Sequence, residues 1–300
     1  MSAATAPSRE QAVLQGHTGA VLRVRFNPDG QYCLSAGVDK TIRLWNPVKQ
    51  LQIRTFVGAS YDVVDVVSSK DNTMLASAGE RSVVLTWDVV GGKITRRLRG
   101  HTGKANCVAL DERHAAVLVS GGQDGSARLW DMRSRNPNAI QIVDDFRDAV
   151  SSVRLTAGGE LVTGSFDGHV RVFDIKAGRL RSDDLGVPVT AVQMTRDGGA
   201  LLAAGLDSTV YLVDKRTGSL LNHYTGHRNR EMRLDVGFMA NDAIVVSGSE
   251  DGDVVLWDMV SAAVTARLKG HRGAVTGVAV HKDQRTLVTG GADGTLRVWV

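Results

Sequence analysis

The stretch SGGQDGSARLWD, Ser120–Asp131, decides how this chain is read. It holds a serine, an aspartate and a tryptophan at fixed spacing, and GHTG (Gly100–Gly103) puts a histidine nineteen residues before that serine. Ser120, His101 and Asp124 are the residue types of a hydrolase triad, so they form either a catalytic site or a structural joint. Recurrence decides between the two. The set of His101, Ser120, Asp124 and Trp130 returns as His17, Ser35, Asp39 and Trp45, as His227, Ser247, Asp251 and Trp257, and as His271, Thr289, Asp293 and Trp299. An enzyme needs one such site. Four copies indicate a repeated structural task.

The repeat runs through the whole sequence. Trp45, Trp87, Trp130, Trp257 and Trp299 end segments of one kind, and Phe173 and Val213 fill the two missing places, at spacings of 40 to 44 residues. Within a unit, KANCVAL (Lys104–Leu110) and SARLW (Ser126–Trp130) alternate apolar and polar with period two, as half-buried strands do. AAVLVS between them is a short continuous apolar run, which suits a strand covered on both faces. IQIV (Ile140–Val143) supplies a fourth strand. Four short strands joined by Gly and Asp turns, repeated seven times, predict an all-β, seven-bladed propeller in a single domain.

GHTGAV…SAGVDKTIRLWN and GHTGKA…SGGQDGSARLWD carry a more specific message: over residues 11–300 the chain resembles the WD-repeat β-propeller family. The resemblance implies that each sequence repeat gives the outer strand of one blade and three strands of the next. The chain stops at Val300, after the third strand of its last unit, so QAVLQ (Gln11–Gln15) is expected to supply the missing outer strand and close the ring. Residues 1–10 are expected to be a disordered tail. The resemblance also implies that each His, Ser or Thr, Asp and Trp set forms a buried hydrogen-bond chain. Unit 2 departs from the pattern, with Ala59 in the histidine place. There Glu80 is expected to act as the acid, with a bulge near Thr86 keeping that polar side chain off the buried face. Units 4 and 5 lack both Gly-His and tryptophan and are expected to rely on packing.

Composition excludes several classes. The chain is 43% hydrophobic and 23% charged, as a globular chain is, and its formal charge of +4 is too small and too evenly spread to imply nucleic acid. No apolar run approaches the roughly 20 residues of a membrane helix, and MSAATAPSRE lacks the apolar centre of a secretory signal. Cys33 and Cys107 cannot frame a disulfide-rich fold or complete a zinc site, and they read as buried reduced thiols of a cytosolic or nuclear protein. Aromatic residues make up 5%, too few for the stacking surface of a single-strand binder. No Gly-rich phosphate loop or metal-spaced cluster is present, so no cofactor is expected.

Function is therefore sought on a surface. In propellers of this family, partners usually bind the face carrying the Gly-His loops and the Asp turns. The positions expected to reach it include Leu22, Val64, Lys104, Asn106, Phe166, Leu206, Arg228, Arg230, Met232 and Glu250. Phe166 and Leu206 offer apolar anchors, and Arg228, Arg230 and Arg233 a basic cluster, opposite acidic loops at Asp144, Asp145, Asp148, Asp183 and Asp184. A bipolar face suits a protein with complementary charge. KITRRLRG (Lys93–Gly100) reads as an edge strand protected by charge. LDSTVYLVDKRTGSLLNHYTGHRNREMRLD (Leu206–Asp235), GQYCLSAGVDKTIRLWNP and RDAVSSVRL are similar to one group of the family, scaffolds linked to kinase-cascade assembly and also found with spliceosomes. That likeness implies a non-catalytic, cytoplasmic or nuclear scaffold, a single chain within a larger complex, with kinase-pathway or spliceosomal proteins as partners. Two other readings stand beside it: an adaptor in another assembly, such as a ribonucleoprotein or a ubiquitin ligase, and a small-ligand or enzymatic propeller.

Overall fold

Alternation and short turns give strands throughout. The computed structural model describes residues 6–111, 116–156 and 158–300, and among these it has twenty-eight strands and no helix. The strands form seven antiparallel sheets of four. Blades 1 to 6 span 21–56, 63–99, 105–143, 150–184, 189–224 and 236–269, each a meander of consecutive strands. Blade 7 takes three strands from 275–299 and its outer strand from Glu10–Gln15, which pairs antiparallel with Thr295–Trp299. The fold is the seven-bladed all-β propeller the repeat predicts.

The apolar residues are placed between blades, not within one central core. Seven buried clusters each join two neighbouring blades. Leu14, Val288 and Val298 of blade 7, for example, pack with Val24, Cys33 and Trp45 of blade 1. Outer strands bury little: VTARLK (Val264–Lys269) buries only Leu268. Burial raises the pKa of both thiols, that of Cys107 to about 11, so neither is primed for reaction.

In six of the seven inner strands the register breaks after the first residue, at Val21/Arg23, Val63/Asp65, Ala105/Cys107, Val150/Ser152, Val189/Ala191 and Val275/Gly277. The extra residues are Leu22, Val64, Asn106, Ser151, Thr190 and Thr276. A bulge re-aims the side chain it carries, and here it sets these residues around one end of the central channel.

Three local expectations need correction. The described part of the tail is held in place: Ser8 and Arg9 donate their N–H groups to the carbonyl of Val300, whose own N–H donates to Arg9, and Pro7 is buried. The remainder of that tail, residues 1–5, lies outside the described residues. Thr86 does face the interior, fully buried, and satisfies its hydroxyl on Thr95 Oγ1 at 2.8 Å. The break beside it, at Thr86/Trp87, recurs at Leu44/Trp45 and Leu256/Trp257 and so belongs to the blades generally. The irregularity peculiar to blade 2 lies at its turn, between Ser77 and Gly79. Glu80 stands outside the buried chain, pairing instead with Lys104.

Candidate functional site

The triad look-alike is built fully in blades 1, 3 and 7. Trp45, Trp130 and Trp299 donate their indole N–H to Ser35, Ser120 and Thr289 at 2.8–2.9 Å. Indole can only donate, so each hydroxyl is left to donate to the histidine Nε2, at 2.6–2.9 Å. Nδ1–H then donates to Asp39, Asp124 or Asp293 at 2.9–3.1 Å. The aspartates also cap the loop through Thr18, Thr102 and Arg272 N–H. Burial lowers the histidine pKa values, which keeps the rings neutral, as this chain of donors requires. All three hydroxyls are fully buried beneath their indole, where no substrate carbonyl can reach. The arrangement ties turn to strand.

Blade 6 contradicts the expectation. Trp257 donates to the Thr225 carbonyl at 2.8 Å, Ser247 donates to the Gly248 carbonyl, and among the described residues neither ring nitrogen of His227 has a hydrogen-bond partner. The cause is one residue. In the intact blades a Cβ at Gly37, Gly122 or Gly291 would come within 3.3, 2.4 or 2.4 Å of the histidine Nδ1. Blade 6 has Ser249 there, whose hydroxyl accepts the Arg228 N–H at 2.8 Å and draws in the loop. His227 instead sits edge-on to Trp257, 5.5 Å between centroids, and burial lowers its pKa to about 4. His227, Ser247, Asp251 and Trp257 therefore do not form the tetrad. Elsewhere the joint is rebuilt with other residues. In blade 2, Tyr61 fills the histidine space against Gly79. Blade 4 pairs Asp167 with Arg171 at 2.8 Å, with the guanidinium 4.8 Å over Phe146, so more than packing holds it. In blade 5, Tyr211 donates to Asp207 at 2.5 Å.

The difference between blades is measurable. Asp124→Ala removes the acceptor of an intact chain and should cost on the order of 1–3 kcal/mol. Asp251→Ala removes a carboxylate that has no histidine to hold and should cost clearly less. Urea denaturation of the two variants checks this; equal losses would mean blade 6 is as tightly joined as blade 3.

On the loop face the six bulge residues divide by chemistry. Asn106 donates to Val150 O at 3.1 Å, Ser151 to Val189 O at 2.6 Å, and Thr276 to Val21 O, so each staples its blade to the next. Thr190 bonds Ala204 O within its own blade. Leu22 and Val64 cannot do this. With Met232, which is 38% exposed, they border a recess of about 240 Å³ whose other walls are Arg23, Glu231, Arg233 and Thr276. The blade 6 loop that carries Met232 is fixed. Glu250 Oε1 accepts the N–H groups of Arg230, Glu231 and Met232 at 2.6–2.9 Å, and Asn229 exchanges bonds with Ser208 of blade 5. Glu250 thus shapes the loop, and Arg228, Arg230 and Met232 project from it, exposed. Lys104 is exposed and paired with Glu80, while Asn106 is committed to its staple. Phe166 and Leu206 are half-buried, which makes them weaker anchors than the sequence suggests.

Sequence reasoning missed the channel itself. Asp65 accepts Arg25 Nε and Nη2 at 3.0 Å each and lies 3.2 Å from Arg23 Nε, and Arg23 also pairs with Asp235. Arg233, expected among the surface charges, turns inward instead. It donates to Asn106 O at 3.0 Å and to Ser151 O, reaching across the channel from blade 6 to blades 3 and 4. Polar residues alternating in VLRVRF (Val21–Phe26) and VVDVVS (Val63–Ser68) were the available signal; in a ring of strands the polar face lines the channel.

Comparison with known proteins agrees with this architecture. A model described as WD domain, G-beta repeat matches residues 8–46, 218–258 and 263–300. One described as Nucleolar protein 10-like, N-terminal domain, matches 49–231. The chain is 44% identical to the human protein called WD repeat domain-containing protein 83, over 98% of this chain and 92% of the human one. The rat protein of that name is 42% identical over the same shares. A Dictyostelium discoideum protein, called WD repeat domain-containing protein 83 homolog, is 31% identical over 96% of each chain.

Proposed function

We infer the function from one premise: the chain belongs to the WD-repeat β-propeller family. On that premise it is a non-catalytic scaffold that gathers other proteins on its loop face. The observation that carries this reading is the recess bordered by Leu22, Val64 and Met232, with exposed Arg228 and Arg230 alongside. An apolar hollow beside charge is what an anchoring side chain of a protein partner requires. Sealed hydroxyls in every intact tetrad support the non-catalytic part. Similarity to the mitogen-activated protein kinase organiser group nominates kinase-cascade or spliceosomal proteins as the partners, met in the cytoplasm or nucleus.

Affinity purification of the full chain with identification of co-purifying proteins tests this. Met232→Glu with Arg230→Glu changes only side chains that leave the Glu250 tether intact, and should weaken partner capture by about 2 kcal/mol or more, roughly thirtyfold. The melting curve should stay near that of the parent chain. Arg97→Glu with Arg99→Glu, exposed on the blade 2 edge, is the matched control and should retain the partners. Arg96 is left unchanged because it bonds Asn136 O at 2.8 Å across to the 132–138 connection. Loss with the edge pair and retention with the loop pair would move the binding surface to the rim of blade 2.

A further inference from the structure

The channel is closed at the loop face by Arg233 and by the Arg23, Asp65 and Asp235 pairs beneath it. Toward the opposite face it widens into a cavity of about 620 Å³. Cations line that cavity from five blades: Arg25, Lys70, Arg154, Arg196 and Lys282. The acids in its wall are Asp111, Asp235 and Asp242, two fewer. They do not neutralise the set evenly. Arg25 is held by Asp65 and Asp235 is held by Arg23, whereas Asp242 accepts the backbone N–H of Arg196 at 2.9 Å and the Arg196 guanidinium donates to Asn241 Oδ1. Arg196 is exposed; the inner-wall cation left without a carboxylate is Arg154. Its guanidinium donates to Gln193 Oε1 at 2.9 Å and to the Val153 carbonyl at 3.0 Å, and among the described residues it makes no ion pair. Burial, then the positive charges of Arg25 and Arg23, pull its pKa well below the ordinary arginine value, so the site as built is short of negative charge. Lys70 and Lys282, both exposed at the mouth, make no ion pair among the described residues, although the charge of Lys282 acts on Asp29.

We propose that this blind channel is a binding site for a small polyphosphate, with Arg154 holding one phosphate group deep in the cavity and Lys70 and Lys282 holding others at the mouth. Arginine presents a planar fork of donors to phosphate oxygens, and lysine adds point charge. The volume lies within the range of small-molecule sites and exceeds what a single phosphate fills. The radial spread of cations over a ring of blades suits a ligand that bears phosphates in several directions, such as an inositol polyphosphate, better than an extended chain.

Isothermal titration of the full chain with inositol hexakisphosphate tests the site, with ATP as the second polyphosphate and sodium sulfate at matched ionic strength as the control. Saturable binding of one equivalent is expected, about tenfold or more weaker in Arg154→Gln, the loss of one charge-assisted contact. Lys70→Gln with Lys282→Gln, which alters only exposed side chains, should weaken it severalfold and decides the matter if the Arg154 variant does not fold. Tighter binding of ATP than of the inositol phosphate would assign the polyphosphate to a nucleotide. Absence of saturable binding by both, or binding unchanged in the folded variants, overturns the proposal. The site lies at the far end of the channel from the loop-face recess, so either reading can fail while the other stands.

Discussion

Removal of residues 1–15 should leave a protein that does not survive as a soluble monomer. Glu10–Gln15 covers the outer edge of blade 7, pairing with the strand Thr295–Trp299. Without it that strand presents a row of unpaired N–H and C=O groups, a template for another chain. The loss also uncovers apolar surface, since Leu14 and Ala12 are buried against Leu296, Val298 and Trp45 at the junction of blades 7 and 1. A buried leucine alone contributes about 1.5–3 kcal/mol. The ring would additionally open where its two ends meet, which is why this truncation should exceed any single substitution on the surface. Removal of only residues 1–9 should cost about 1–3 kcal/mol, because it deletes the bonds of Ser8 and Arg9 to Val300 and the packing of Ala6 while leaving the strand. Size-exclusion chromatography and thermal melts separate the two. A peptide of residues 6–16 added during refolding should restore soluble monomer to the longer deletion. Identical behaviour of both truncations would show that the ring is not closed by this strand.

Much of this was legible because blades repeat. A tryptophan every 40 to 44 residues sets the blade count, and period-two alternation sets the strands, since both are consequences of short-range geometry. The four-residue joint was legible in blades 1, 3 and 7 for the same reason. It failed in blade 6 on a residue outside the motif: SGSED has Ser249 where SGGQD has Gly122, and only the fold shows that this glycine position is the floor of the histidine pocket. Blades 2 and 4 hid their replacements in a similar way. Tyr61 lies two residues past the histidine place, and Arg171 sits four residues beyond its aspartate in what reads as an ordinary strand. The channel was least legible. Arg233 and Asn106 are 127 residues apart and meet only because seven blades bring their inner strands to one axis. Sequence periodicity says which side of a strand is polar; it does not say whether that side faces solvent or another charge.

Asp65→Ala should be the most destabilising single substitution in the channel. The carboxylate takes Arg25 in two bonds and Arg23 alongside, and it accepts the N–H groups of Val66 at 2.9 Å and of Val108 in blade 3 at 3.0 Å. One side chain therefore joins blades 1, 2 and 3. Removing one partner of a buried ion pair leaves the other charge uncompensated, at a cost of about 3–5 kcal/mol. That is a large share of the roughly 5–15 kcal/mol by which a domain is stable. Here the penalty is sharpened because Arg154 and Arg233 already add positive charge to the same channel, without carboxylate partners among the described residues. The pH dependence has a definite sign. Burial alone would raise the pKa of Asp65, but Arg25, then Arg23, and the hydrogen bonds outweigh it and hold the carboxyl well below the usual range. A depressed folded-state pKa stabilises the protein above the unfolded value of about 3.9, and that stability is lost as pH falls from there toward the folded value. Other aspartates with lowered values contribute in the same direction, so the difference between parent and variant isolates Asp65. The gap in unfolding free energy between parent and Asp65→Ala should be constant from pH 7 to pH 5 and narrow below about pH 4. Asp65→Asn, which keeps the shape but not the charge, should show the same narrowing. A gap that stays constant down to pH 2 would mean that the arginines are held by something other than this carboxylate.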